Sequence, residues 1–341
     1  MLQYKASYCN SCHTRYSNDW QSESKNITPL MKCYIVYISA RSPYDHGTEF
    51  IETIFNQYLS SSWLQTITKE VGGMAHEDIL EEVPLRKSQT NDRYILQTDG
   101  SHIPMKLGWE EVKTAVICRI KGIEITKEGE QKVNIDQRFY HATKDNVVSL
   151  KIDTKSIISS LGVKKKDFIV MGDGAQWIWN MYHEILPNAV QVLDYCHANA
   201  YVTEAMEIIW GEGSKEAKES SEYMRHEIKH SNDGAERVMK AIDACIDNKV
   251  ICDDKKKDRI KTIREYLSRN KDRMRYKKFR EMEIPIGTGL VESTQKWLIQ
   301  ARMKRSGMHW SQSGSREMLA LQVFLANKNY VTWFKKRFGM G

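Results

Sequence analysis

The strongest constraint on the fold is the order in which two hydrophobic periods succeed one another between residues 94 and 193. Strand-like runs occupy Tyr94 to Thr98, Lys113 to Ile120 and Lys132 to Tyr140, at hairpin spacing. A helical stretch from about Asp145 to Leu161 leads to the apolar run Phe168 to Met171. A helix from Ala175 to Leu186 and a short strand, Ala189 to Leu193, follow. The order βββαβαβ predicts three antiparallel strands, then parallel strands joined through helices, in a mixed sheet with helices on both faces. In such a sheet the first and fourth strands are central neighbours.

This is the ribonuclease-H-like arrangement, and within it three acidic residues stand beside glycine signals. They are Asp99 in Tyr94-Ile-Leu-Gln-Thr-Asp-Gly, Asp173 in Phe168-Ile-Val-Met-Gly-Asp-Gly and Glu292 in Gly287-Thr-Gly-Leu-Val-Glu. Carboxylates at the ends of neighbouring strands, completed by a third from a later helix, form a hard oxygen cage for Mg2+ or Mn2+. Such a cage leaves positions open for water and a substrate phosphate. With two ions, one would activate a water and the other would stabilise the leaving 3′ oxygen; the same site can drive that 3′ hydroxyl into a second phosphodiester. Each motif alone has a plainer explanation. An Asp-Gly at a strand end is often only a turn, and Lys296 lies where a helical ion pair would account for Glu292. Asp194-Tyr-Cys-His197 closes the last strand, making His197 a candidate phosphate contact or proton shuttle; the alternative is that Asp194 merely caps the next helix. Trp177, Trp179 and Tyr182 follow Asp173 at helical spacing and read mostly as core.

Charge points to a polyanionic partner. The net charge is +7, yet Lys255 to Arg280 holds thirteen Lys and Arg against three carboxylates, a local balance of +10. Such a field suits nucleic acid through counterion release, unless it is simply a solvated helix face. Lys277, Lys278 and Arg280 in this segment, with Arg302, Lys304 and Arg305 after Glu292, are candidate DNA-binding residues. Trp310, Tyr276 and Phe279 offer stacking surfaces among them.

The remaining chain divides by composition. Residues 1–45 read as a polar, turn-rich Cys/His knuckle in which Cys9, Cys12, Cys33 and His13, or His46 in place of His13, are candidate zinc ligands; a metal-free segment is the alternative. Cys9-Asn-Ser-Cys12-His13 also has haem-attachment spacing, which the lack of an export signal argues against. Seven cysteines, an odd number, suit reduced thiols or metal ligands better than a disulfide framework. Residues 46–88 form a helical region, with one amphipathic helix expected from about Gly47 to Glu70 and another near His76 to Glu82. Residues 89–198 are the first part of the catalytic domain, 199–283 an all-α insertion, 284–327 the domain's final helices, about Leu290 to Met303 and Ser313 to Ala326, and 328–341 a basic aromatic tail. No apolar run is long enough to span a bilayer and no signal peptide opens the chain, so the expectation is a cytoplasmic, nucleoid-associated protein with no membrane partner.

The chain resembles the ISKra group of bacterial insertion-sequence DDE transposases. The resemblance runs through Asp99-Gly and Gly108-Trp-Glu-Glu-Val-Lys113, Gly172-Asp-Gly-Ala-Gln-Trp-Ile-Trp179, Leu193-Asp-Tyr-Cys-His-Ala198, Met274-Arg-Tyr, Gly287-Thr-Gly-Leu-Val-Glu-Ser293 and Arg302-Met-Lys-Arg-Ser-Gly-Met-His-Trp-Ser311. Tyr8-Cys-Asn-Ser-Cys12 is similar to a cysteine pair ahead of that group's catalytic domain. The resemblance implies a metal-binding triad of Asp99, Asp173 and Glu292, with the helical insertion between the last two. It also implies that Asp194 and His197 match a (Cys/Asp)-x-x-His signature. The implied partners are terminal-repeat and target DNA, bound by a homo-oligomer. Members of the group are often longer at the N-terminus, so an end-recognition segment is expected to be missing here. Two other functions stay open at this point: a catalytically inactive DNA-binding protein, and a ribonuclease-H-like nuclease without strand transfer.

Overall fold

The structure, a computed structural model, describes residues 7–9, 14–16, 27–78, 92–127, 130–162, 168–247, 253–327 and 330–339. A two-stranded antiparallel ribbon, β1 (Ser7–Cys9) and β2 (Thr14–Tyr16), comes first. Three helices follow: α1 (Pro29–Arg41), α2 (Tyr44–Phe55) and α3 (Ser61–Asp78). The α1 segment falls inside the expected knuckle but is helical, because Thr28 caps it with an oxygen to the Met31 amide and Pro29 presets its first turn. The single helix expected over 47–70 is two helices, since Asn56 takes a left-handed conformation (φ 51°) that ends α2.

The central sheet comprises β3 (Arg93–Pro104), β4 (Trp109–Ile125), β5 (Gln131–Thr143), β6 (Phe168–Gly172) and β7 (Val190–Leu193). Its order is β5-β4-β3-β6-β7, antiparallel across β5-β4-β3 and parallel across β3-β6-β7. The crossover helices are α4 (Val147–Leu161), capped by Asn146, and α5 (Gln176–Ile185). The hairpin strands are longer than their apolar runs predict. Asp99-Gly100 is therefore no turn: Asp99 pairs with Thr114 and Gly100 with Lys113, well inside the β3-β4 ladder.

Side chains on alternate sides of a strand serve two cores. Ala115 and Ile117 pack into one, with α4, α5 and the helices after β7; Val112 and Val116 face the other, with α1 to α3 and the C-terminal helices. The insertion contains α6 (Tyr195–Trp210), α7 (Lys215–His230), α8 (Gly234–Asp247), α9 (Asp254–Asn270), a 3-10 turn at Lys271–Met274 and α10 (Tyr276–Glu281). The next helix is continuous but uneven: α11 (Gly289–Thr294), a π-helical stretch at Gln295–Gln300, then α12 (Ala301–Met303). Finally α13 (Gln312–Ala326) crosses α3, and α14 (Tyr330–Phe338) replaces the expected tail, burying Tyr330, Trp333 and Phe334 while its lysines stay outside.

Candidate functional site

The parallel pairing of β3 with β6 aligns the first two acidic residues. Its last pair is Gln97 with Met171, and Asp99 and Asp173 each lie two residues further along the same register. β3 thus carries Asp99 past the end of β6, where the chain turns at Asp173-Gly174. Asp173 Oδ1 accepts from the Ala175 amide at 2.8 Å, ahead of α5. Gly174 is required there: its φ is +100°, and a Cβ would lie 2.4 Å from the Tyr266 hydroxyl. That hydroxyl, from α9 in the insertion, donates to the Asp173 carbonyl at 2.7 Å.

Glu292 lies in α11, and the loop that leads into it is held at three points. Gln97, buried and two residues before Asp99, accepts from the Val291 amide at 3.0 Å and donates to the Gly287 carbonyl at 3.3 Å. Asp194 Oδ1 accepts from the Thr288 amide at 2.8 Å, and the Tyr195 amide donates to the Ile286 carbonyl at 2.9 Å. Lys296 makes no ion pair with Glu292; it lies in the π-helical stretch, a form frequent at functional sites.

Asp194 caps α6 through the His197 amide at 2.9 Å and also takes His197 Nδ1 at 2.9 Å. The cap and the functional alternatives are therefore one structure, since the carboxylate that starts the helix also fixes the imidazole. Burial would raise the Asp194 pKa, but the hydrogen bonds from His197 and Thr288 outweigh it and hold the carboxyl below its usual range. The hydrogen bond to Asp194 raises His197 above its ordinary value. Asp99 is shifted the other way. Burial, with the nearby charges of Asp173 and Glu292, pushes its carboxyl up to about 6, against the Gly100 amide, which donates at 2.7 Å, and the opposing charge of His197.

Asp99 therefore shares one electrostatic neighbourhood with Asp173, His197 and Glu292. Within it the most tightly drawn trio among the described residues is Asp194, His197 and Glu292, whose ligand atoms lie within 4.8 Å of one another. Both Asp194 oxygens are already hydrogen-bonded, so this residue acts as a positioning group. Neither Gln97 nor Tyr266 stood out in the sequence. Gln97 had a signal, a lone amide in the apolar run Tyr94-Ile-Leu-Gln-Thr.

The basic candidates separate. Lys278 is exposed and Lys277 partly exposed on α10, and Arg280 lines a groove with Tyr195, Cys196 and Gly287 at the edge of the Glu292 loop. Lys304 and Arg305 are exposed. Tyr276, Phe279 and Trp310 are buried, so they are core residues, and the Trp310 indole is committed to the Met303 carbonyl at 2.9 Å. Arg302 is buried too. The basic field of residues 255–280 is partly neutralised by acids from other helices: Arg259 pairs with Glu204, Arg264 with Asp243 and Arg275 with Glu236. Among the expected zinc ligands, the Cys9 backbone lies in β1, Cys12 and His13 lie outside the described residues, and His46 is in the first turn of α2. Cys33 sits in α1 with its thiol pushed up by burial, so no four-ligand site is assembled among the described residues. No described helix is long and apolar enough to cross a membrane.

Residues 22–339 match the model of the Uncharacterised protein family (UPF0236). The chain is similar to several UPF0236 proteins of Caldanaerobacter subterraneus subsp. tengcongensis. One, whose name joins four locus designations, is 28% identical over 279 residues, 80% of this chain and 55% of that protein. A second is 28% identical over 279 residues, covering 80% and 52%. A third, named by eleven locus designations, is 25% identical over 280 residues, covering 80% and 55%. The chain spans about half the length of the curated relatives it matches.

Proposed function

The chain belongs to the UPF0236 family, and we propose that it is a DDE transposase on a ribonuclease-H-like fold, of the ISKra group of insertion sequences. Its reaction is metal-dependent hydrolysis of a phosphodiester at each element end, followed by transfer of the 3′ hydroxyl to target DNA. The observation that carries this is the placement of Asp99 on β3 and Asp173 just past β6, its parallel neighbour, with Glu292 and His197 close enough to Asp99 to act on its charge, although the tightest ligand trio among the described residues is Asp194, His197 and Glu292. The relatives add support: one protein borne at eleven loci of a single genome suits a gene that copies itself.

The donors fit Mg2+ or Mn2+. Asp99, Asp173 and Glu292 offer only hard oxygens, and burial together with the neighbouring carboxylates raises the Asp99 pKa. Bound there, divalent ions would supply Lewis acidity for the attacking water and the departing oxygen. The chain's own groups do the rest. Asp194 holds His197 by Nδ1, leaving Nε2 to contact a phosphate oxygen or carry a proton. Gln97 keeps the Glu292 loop against β3, and Tyr266 ties the Asp173 turn to the insertion. In the first step water attacks phosphorus and the bond to the 3′ oxygen breaks, leaving a 3′ hydroxyl and a 5′ phosphate. In the second step that hydroxyl attacks a target phosphodiester and displaces a target 3′ oxygen, which takes up the proton. Lys277, Lys278, Lys304 and Arg305 would hold the DNA backbone, on an oligomer that pairs two ends.

The test supplies labelled terminal-repeat DNA and Mg2+ or Mn2+ to wild type and to Asp99→Asn. Wild type should cut and join, and the variant should lose roughly a thousandfold or more in cleavage, the scale of a lost electrostatic contact in a catalytic centre. Equal cleavage by both would overturn the site. Cleavage without joined product would assign a nuclease, and binding without strand breakage an inactive DNA-binding protein.

A further inference from the structure

Arg302 is a buried cation that pairs with no anion among the described residues. It is 3% exposed, its Nε donates to the Ser39 carbonyl at 2.8 Å, and one terminal nitrogen reaches only the Met308 sulfur at 3.6 Å. The other terminal nitrogen has no hydrogen-bond partner. The rings of Tyr44 and Trp310 cover the guanidinium, each centroid 5.1 Å away. Burial pulls its pKa down to about 10, far enough above neutrality that it keeps its charge. Removing a guanidinium from water without a counter-charge is costly, and a buried donor left unpaired adds to that cost.

The surroundings show what would offset it. Arg302 lines an open groove of about 710 Å³, within the usual range of small-ligand sites. The first turn of α2, at Tyr44 and His46, and the first turn of α3, at Ser61 and Ser62, line the same groove. The N-cap of α2 is Pro43, which offers no side-chain cap, so first-turn amides are left for a ligand. Two helix N-termini bring partial positive charge, and Arg305 brings a full one. Asp45 contributes a carboxylate to the lining as well, but it makes no ion pair with Arg302 among the described residues.

We infer that this groove binds a phosphate group, as a monoester or diester, through Arg302, Arg305 and the first-turn amides of α2 and α3. The site is separate from the carboxylate cluster and needs no metal. It goes beyond the proposed catalytic function, because phosphate can bind there whether or not Asp99 and its neighbours cut DNA. The phosphate has two possible sources, a free phosphate or nucleotide and the backbone of a DNA strand.

Calorimetry of the full chain in EDTA tests this. The titrants are inorganic phosphate, a 5′ mononucleotide, and a short single-stranded oligonucleotide with and without a terminal 5′ phosphate. Saturable binding is expected. Affinity for the oligonucleotides roughly tenfold or more above free phosphate would assign a DNA strand, and comparable affinities the free ligand; both outcomes support the site. Arg302→Gln should weaken binding roughly tenfold or more, as loss of a charge-assisted hydrogen bond does. Because Arg302 is buried, Ser62→Asp is the second variant. A carboxylate in the first turn of α3 favours the helix yet repels phosphate, so this folded variant should also bind roughly tenfold more weakly. Absence of saturable binding by wild type in every arm, or wild-type affinity in folded Ser62→Asp, would overturn the inference.

Discussion

Asp99, half-buried, and Asp194, buried, are aspartates beside the same site, yet the protein treats them in opposite ways. Asp194 is fully enclosed and receives three hydrogen bonds, from the amides of Thr288 and His197 and from His197 Nδ1. Asp99 receives one, from the Gly100 amide, and feels two other carboxylates. The same side chain thus serves as a structural staple in one place and as a carboxylate with a single donor, beside two other acids, in the other. The sign of each pKa shift separates the two roles: downward where the hydrogen bonds outweigh burial, upward where burial and neighbouring carboxylates outweigh a single donor.

The largest test of this contrast is stability. Asp194→Ala strands the Thr288 and His197 amides and releases the Glu292 loop, and should cost about 3–5 kcal/mol in urea unfolding. Asp99→Asn should be neutral or stabilising in the absence of metal. A loss below about 1 kcal/mol for Asp194→Ala would erase the distinction. Next in size is the response to metal. At a hundredfold excess over its dissociation constant, Mg2+ should stabilise wild type by about 2.7 kcal/mol by mass action. Most of that gain should vanish in Asp99→Asn, as read by thermal unfolding with and without EDTA.

The smallest test is pH. The folded-state pKa of Asp99, about 6, lies above its ordinary 3.8, so folded protein takes up this proton first. Without metal, its contribution to stability therefore rises as pH falls through 6 towards 3.8, by about 1 kcal/mol once solvent screening is allowed for. Asp194 behaves inversely, stabilising above its unfolded pKa and losing that contribution as pH falls through its depressed folded value. His197 stabilises below its ordinary value of 6.5 and ceases to do so as pH rises through its raised folded value. Asp99→Asn should flatten the rise between pH 7 and 4 in a series of unfolding measurements; an unchanged profile would place the titration elsewhere.

Much of this architecture could be read along the chain. The three hairpin strands, α4, β6, α5 and β7 follow from period and turn chemistry, and Asp173, Asp194 and His197 stand out because strand ends and helix caps are local events, whereas Asp99 lies inside β3 rather than at its end. The errors are equally physical. The aromatics at Tyr276, Phe279 and Trp310 resemble stacking surfaces beside basic residues, but a linear pattern does not show which face meets a core. The +10 segment is partly neutralised by Glu204, Asp243 and Glu236, acids contributed by other helices. The expected turn-rich knuckle is helical at Cys33 because of a local signal, Thr28-Pro29, which opens α1.

Short-range physics in the amino-acid order thus wrote the strands, their succession and the positions of the acids, because backbone period, capping and glycine freedom act over a few residues. Folding in three dimensions settled which of those groups remain available. Gln97 reaches Val291, Asp194 reaches Thr288, and Arg302 finds Ser39 but no anion among the described residues, each across more than ninety positions of chain. Desolvation and hydrogen-bond satisfaction depend on what lies nearby in space, so the two aspartates acquire opposite characters only when the distant segments meet.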